Sequence, residues 1–313
     1  MKLKTMILSS AALAVSATMA LADWPERPVT LLTPWPPGDV EDTIARLIAD
    51  RMEAEFDVPV QALNRPGGGG VIGATEVANA PANGYMIGNL VIDLVTSHVA
   101  LGNTTYPIDA FETVGIYVTY PFILAASADA PYDNLAELAD YAKTNEISLG
   151  HFGYGAIPTK VTFDVADQLG FSFASEASFE ALDCTTLSNG DADVINTTTQ
   201  QVQACLDSGA VKAIASYTND RIVTLPDTLT LHEQVDGDPI VLWGGLFVPK
   251  GTPQEVIDKI AAVAAEVMAS EEVDKIRQAT GAELYWQGPK EGKARLDKDY
   301  KAGVDLLKKL GEL

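Results

Sequence analysis

The sequence predicts an α/β protein of two lobes, each built on a mainly parallel sheet covered by helices. Three observations predict it. Short runs of β-branched and apolar residues alternate with amphipathic stretches along the whole chain, the pattern of repeated strand-turn-helix units. Turns rich in glycine and proline recur at the strand-to-helix junctions. The 313 residues suffice for two cores, yet no low-complexity linker divides them, so the lobes are joined by strands that cross from one to the other.

Taken in order, Val29 to Thr33 is a strand, followed by the turn Pro34-Trp35-Pro36-Pro37-Gly38 and an amphipathic helix from Thr43 to Phe56, with Ile44, Leu47, Ile48 and Met52 on one face. Val58 to Leu63 is a strand, Asn64 to Gly70 a glycine loop, Ile72 to Asn79 a short helix and Ile87 to Val91 a strand. The middle repeats the theme. Strands are expected at Phe122–Ser127, Ser148–His151, Val194-Ile195 and Lys212–Ser216, with helices at Leu135–Thr144, Pro158–Gly170, Phe179–Ser188 and Gln200–Leu206. A last strand at Ile240–Val248 precedes helices at Gln254–Ala269, Val273–Thr280 and Pro289–Leu310. The lobe boundaries follow: residues 23–122 plus 244–313 form one lobe and 123–243 the other, with crossings near Phe122–Ser127 and Ile240–Val248. Hinge-bending closure on a ligand is the motion such crossings allow.

Residues 1–22 read as a cleaved export signal: basic Lys2 and Lys4, a mostly apolar or small run from Ile7 to Ala20, and Ala20-Leu21-Ala22 before Asp23. Ser9, Ser10, Ser16 and Thr18 make that run a poor membrane anchor, and no later segment approaches the roughly 20 apolar residues of a spanning helix. The expected product is soluble, cut near Ala22 and released into the periplasm.

Charge excludes some partners. With 43 Asp and Glu against 21 Lys and Arg, the formal net charge of -22 repels nucleic acid and anionic lipid. An excess this broad reads as a solubility device, not as the mark of a cationic ligand. The two cysteines, Cys184 and Cys205, favour a disulfide in an exported chain, with two free buried thiols as the alternative. His98, His151 and His232 lie far apart and at no metal-ligand spacing, so no metal site is expected and each is read as structural.

The chain also lacks the marks of an enzyme. There is no G-x-S-x-G elbow, no H-E-x-x-H and no P-loop lysine. Gly68-Gly69-Gly70-Val71-Ile72-Gly73 fits G-x-G-x-x-G, and Asp93 follows about 20 residues on. This loop sits in the second strand-helix unit of an exported chain, which argues against a dinucleotide, so no cofactor is expected; Asp93 stays among the candidate ligand-binding residues. What the loop offers is physical: glycines let several N-H groups converge at a helix N-terminus, where they hold a carboxylate or phosphate without a basic side chain. Gly38 marks a second such junction, with Trp35 as an apolar wall or core filler. A third is Gly153-Tyr154-Gly155-Ala156 ahead of Pro158, with Thr159 adding a hydroxyl. Asp39 is read as the cap of the first helix, with Glu41 and Asp42 offsetting its positive end.

Together these residues resemble a known family. Pro25-Glu26-Arg27-Pro28-Val29-Thr30 running into Pro34-Trp35-Pro36-Pro37-Gly38, then Asp42 and Ala45-Arg46, is similar to the start of the tripartite tricarboxylate transporter receptors, the Bug or TctC family. So are Asn64-Arg65-Pro66-Gly67-Gly68-Gly69-Gly70 with Ile72-Gly73-Ala74, Gly84-Tyr85, Leu225-Pro226-Asp227, and Trp243 to Pro249 with Gly251-Thr252-Pro253. The resemblance implies a two-lobe, type II-like periplasmic solute-binding fold acting as a monomer, with a two-component membrane permease as partner and a small carboxylate as ligand. It further implies that backbone groups of Pro37, Gly38, Asp39, Gly69, Gly70, Val71 and Ile72, together with Gly153 to Thr159, hold that carboxylate. A receptor read by a membrane sensor kinase is the alternative use of the same cleft.

Departures from the family pattern fall in the site. Asp39 stands where a second glycine is common and Glu41 where a small polar residue is. Ser178-Phe179-Glu180 aligns with a Tyr-Lys-Gly segment, and Asn196-Thr197-Thr198 with a segment that often carries an aspartate, which makes Phe179 and Thr197 candidates too. A cation is lost and anions are gained, so a monocarboxylate with an amino, amide or aromatic part is favoured over a tricarboxylate.

Overall fold

The computed structural model describes residues 24–237 and 239–313. The export-signal reading of residues 1–22 lies outside the described residues.

The chain begins with β1 (Val29–Thr33), α1 (Val40–Phe56), β2 (Val60–Asn64), α2 (Val71–Ala78) and β3 (Met86–Val91). Two short helices, α3 (Ile92–Val95) and α4 (Ser97–Ala100), lead to β4 (Phe111–Thr119). Then come β5 (Phe122–Ser127), α5 (Leu135–Ala142), β6 (Ser148–His151), α6 (Ile157–Gln168), β7 (Ser175–Ser178), α7 (Cys184–Ser188), β8 (Val194–Thr198), α8 (Gln203–Ser208) and β9 (Val211–Ser216). After a 3-10 turn at Leu231–Glu233, the chain forms β10 (Trp243–Pro249), α9 (Gln254–Met268), α10 (Glu271–Thr280), β11 (Glu283–Gln287) and α11 (Pro289–Lys309).

Two sheets result, ordered β11-β4-β10-β3-β1-β2 and β7-β6-β8-β5-β9, and they are the centres of two lobes. Both are mixed, where the sequence predicts mainly parallel sheets. In the first sheet β1 pairs parallel with β2 and β3, while β10 and β11 pair antiparallel. In the second, β6 pairs parallel with β7 and β8, while β5 pairs antiparallel with β8 and β9. The reason is the route of the chain: β5 and β10 enter their sheets from the other lobe and so run against the strands already there.

Local sequence explains the parts that frame the cleft. Val29, Leu31 and Leu32 of β1 are wholly buried, as expected of a strand covered on both faces. In α1, Ile44, Ile48 and Met52 recur at helical spacing and are also wholly buried, while Asp57 in the left-handed region ends the helix. The helix predicted for Phe179–Ser188 forms only from Cys184, because the Asp183 side chain accepts from Thr185 N at 2.8 Å and starts it there. Cys184 and Cys205 are joined as a disulfide that ties α7 to α8.

The lobes meet through two connections lying side by side. Tyr120 and Pro121 separate β4 in one sheet from β5 in the other, and Tyr120 N donates to Leu242 O, one residue ahead of β10, at 2.9 Å. A third link is α11, which packs on β4 and reaches α6. The buried Lys160 of α6 pairs with Glu312, just beyond α11, at 2.5 Å.

Candidate functional site

Between the lobes lies a cavity of about 350 Å³. The first lobe contributes Trp35 to Asp39 and Glu41 from the β1-α1 junction, Gly69 from the glycine loop, and Val91, Asp93 and His98 from β3, α3 and α4. Phe152, Ala156, Pro158, Glu180, Ala181, Asp183, Thr198 and Gln201 face them from the second lobe. Tyr120, Phe122 and Leu242, at the two connections, complete the lining.

The sequence-predicted residues divide accordingly. Trp35, Pro37, Gly38, Asp39, Gly69, Asp93 and Ala156 are brought together on the cavity wall. Gly70 lies behind it, buried, with φ +85; a Cβ there would stand 3.1 Å from the Trp35 ring and 3.0 Å from Leu94, so only glycine fits. Val71 and Ile72 open α2, and Ile72 is 58% exposed. Tyr154 beside Gly153 is exposed and turns to the surface, its ring 4.8 Å from His151 and its hydroxyl 3.3 Å from Glu176. Gly155 is pressed against His98, whose ring a Cβ would overlap. Thr159 is wholly buried in α6. Phe179 packs against the second lobe's core, and the Thr197 hydroxyl donates to Leu182 O at 2.6 Å.

Many of the amides expected to cradle an anion are spent inside the molecule. Gly38 N donates to Asp42 Oδ2 at 3.2 Å, Gly70 N to Gly67 O at 3.1 Å, and Val71 N to Gly68 O at 3.3 Å. In the second lobe Ala156 N donates to Gly153 O, and the Ile157 N-H at the start of α6 is taken by the Asp93 carboxylate at 2.9 Å. Asp93 thus bridges the lobes at a helix N-terminus. A second bridge stands one helical turn on, where Ser97 Oγ donates to Gly155 O at 2.6 Å.

Asp39 occupies the N-cap position of α1, yet its side chain makes no capping hydrogen bond. Burial pushes its carboxyl up, and the Gln201 side chain of the other lobe, which lines the same cavity, offsets part of that rise. Asp42 takes over at the helix start, held by Arg46 at 2.9 and 3.0 Å and by Asn64 at 2.9 Å. Burial pushes the Asp42 carboxyl up, but those partners outweigh it and hold the group below its usual range.

Glu41 has no such compensation. It is 4% exposed, and its Oε2 has no hydrogen-bond partner. Burial, then the neighbouring Asp39, pushes its carboxyl up to about 8. Burial likewise raises Asp93 to about 7, the Ile157 N-H offsetting part of the effect, and lowers His98 to about 4, so that imidazole is neutral at physiological pH. Tyr120 presents a buried, unpartnered hydroxyl.

The sequence reading missed His98, Tyr120, Phe122, Phe152, Gln201 and Leu242. Tyr120, Phe122 and Leu242 are marked only by their closeness to the crossings. His98 sits on a helix too short to show periodicity. Nothing local singles out Gln201. Among the described residues no group of three or more metal-ligating side chains forms.

Comparisons with known proteins converge. The family model described as tripartite tricarboxylate transporter family receptor matches residues 44–311. A UPF0065 protein of Bordetella pertussis is 30% identical over 262 residues, covering 81% of this chain and 80% of that protein. The periplasmic binding protein BugD superposes with a TM-score of 0.80 at 30% identity, over 92% of this chain and 99% of its own. MatC from Rhodopseudomonas palustris with bound malate does so with a TM-score of 0.78 at 25% identity, over 91% of this chain and 100% of its own.

Proposed function

The chain belongs to the tripartite tricarboxylate transporter receptor family, and from that premise we propose that it captures a small organic carboxylate between its lobes in the periplasm and delivers it to a membrane permease. One observation carries the reading: a cavity of about 350 Å³ to which both lobes and both connections contribute walls. Its volume suits a small metabolite. Trp35, Tyr120, Phe122, Phe152 and Leu242 offer apolar surface, and Gln201 and Thr198 offer neutral hydrogen-bonding groups. MatC, a relative of similar fold, holds malate. A diacid of that kind is disfavoured here, since Asp39 and Glu41 stand in the wall and, among the described residues, no lysine or arginine lines it.

Native mass spectrometry of the protein as purified tests this reading. A solute released on denaturation should carry a carboxyl group and should raise the unfolding temperature when added back. Absence of any retained solute, together with no stabilisation by a broad set of organic acids at millimolar concentration, would overturn it.

A further inference from the structure

Among the described residues, five acidic side chains, Asp39, Glu41, Asp93, Glu180 and Asp183, line the cleft, and no lysine or arginine lines it with them. Two already have internal work: Asp93 accepts from Ile157 N, and Asp183 from Thr185 N. Asp39 is met only by a neutral amide donor, Gln201, beyond its electrostatic neighbours. Glu41 is more telling. It is 96% buried by its 4% exposure, faces the cavity, and keeps one carboxyl oxygen without a partner. Burying a polar atom unpaired costs on the order of 1–3 kcal/mol, so such atoms in binding proteins are satisfied by water or by what binds. The nearby basic side chain, Arg46, is engaged with Asp42 and does not line the cavity. The missing partner is therefore a hydrogen-bond donor that arrives from outside.

We propose that the solute is a zwitterion whose ammonium group rests against Asp39 and Glu41. The inference builds on the receptor reading above and narrows it from carboxylates in general to amino acids and other acids that carry a protonated amine. The carboxylate end lies toward Thr198 of the second lobe, and the aromatic side chains around Trp35 and Tyr120 cover the hydrocarbon between the two charges. A protonated amine offers the Glu41 oxygen a donor and favours the ionised form of acids that burial makes costly to charge. A dicarboxylate offers that wall no N-H donor and brings further negative charge beside it.

Calorimetry on the purified protein distinguishes these, with γ-aminobutyrate set against butyrate and succinate, and phenylalanine against phenylpropanoate, each at neutral pH. In whichever set binds, the ammonium compound is expected to bind at least about tenfold tighter than its amine-free partner, about 1.4 kcal/mol. Asp39→Asn with Glu41→Gln should erase that preference while leaving the circular dichroism spectrum unchanged. A separate Arg51→Ala variant, far from the cleft, should keep the preference. Tighter binding of butyrate, succinate or phenylpropanoate, or a preference that survives the double substitution, overturns the ammonium site and leaves the receptor reading standing. If no compound binds, the solute recovered from the purified protein decides: a protonatable amine in its structure supports the proposal, and its absence overturns it. No binding and no recovered solute overturns both readings.

Discussion

Glu41 is an expensive residue to bury. Its carboxyl is pushed up to about 8 by burial and then by Asp39, against an ordinary value of 4.5. The folded protein therefore holds a proton that the unfolded chain releases, and stability falls as pH rises between those values. Asp93, raised to about 7, acts in the same direction. His98, lowered to about 4 from 6.5, acts oppositely, costing stability as pH falls through that interval. Above pH 6.5 the imidazole is largely neutral in both states, so the raised carboxyls, Glu41 and Asp93 foremost, govern the slope. The unfolding temperature of the solute-free protein should fall from pH 6.5 to about 8.5, and Glu41→Gln should flatten that fall and raise the temperature at the upper end. Scanning calorimetry across the range checks both. Asp93 permits a sharper comparison. Asp93→Ala leaves the Ile157 N-H buried without its acceptor and should cost about 1–3 kcal/mol in denaturant unfolding. Asp93→Asn keeps an oxygen at that place and should recover most of the loss.

The elements were legible where punctuation bounds them. β1 and β6 fall where the sequence reading puts them, because proline or glycine turns close them off: Pro34 to Gly38 after β1, Gly153 after β6. Three strands went unread for different reasons. β7 is Ser-Glu-Ala-Ser, exposed throughout at a sheet edge, and carries no hydrophobic signal. β11, also an edge strand, is short and lies between two helices. β4 merges in sequence with β5, and only Pro121 hints that the apolar run serves two sheets. The glycine junctions of the site were readable as places of close approach, and Gly69, Gly70 and Gly155 do lie on or against the cleft. Which amides are spent inside the molecule was not readable. Gly38 N and Ile157 N are taken by the carboxylates of Asp42 and Asp93, and Gly70 N by Gly67 O.

At the scale of the whole molecule, the two sheets are linked through Tyr120-Pro121 and the backbone ahead of β10, held together by the Tyr120–Leu242 hydrogen bond. Tyr120 and Leu242 also line the cavity, so any change in the angle between the lobes alters the space for a solute. Small-angle X-ray scattering should show a smaller radius of gyration once a tight solute is bound, and an unchanged value at saturation would argue for a rigid cleft. The Lys160–Glu312 pair and the packing of α11 near α6 limit how far the lobes can part.

The disulfide sits where it bears on this cleft. Cys184 follows Asp183, and the stretch from Cys184 to Cys205 includes Thr198 and Gln201, so one covalent bond braces much of the second lobe's wall. Closing a loop of 21 residues should add about 3 kcal/mol to stability in the chain-entropy account. Affinity should suffer along with the melting point: after treatment with a reductant, calorimetric titration is expected to show weaker capture at temperatures where the first lobe is still folded. A copy kept among cellular thiols would then be a poor scavenger, and oxidation of the Cys184–Cys205 pair would confer competence on the second lobe's half of the cleft.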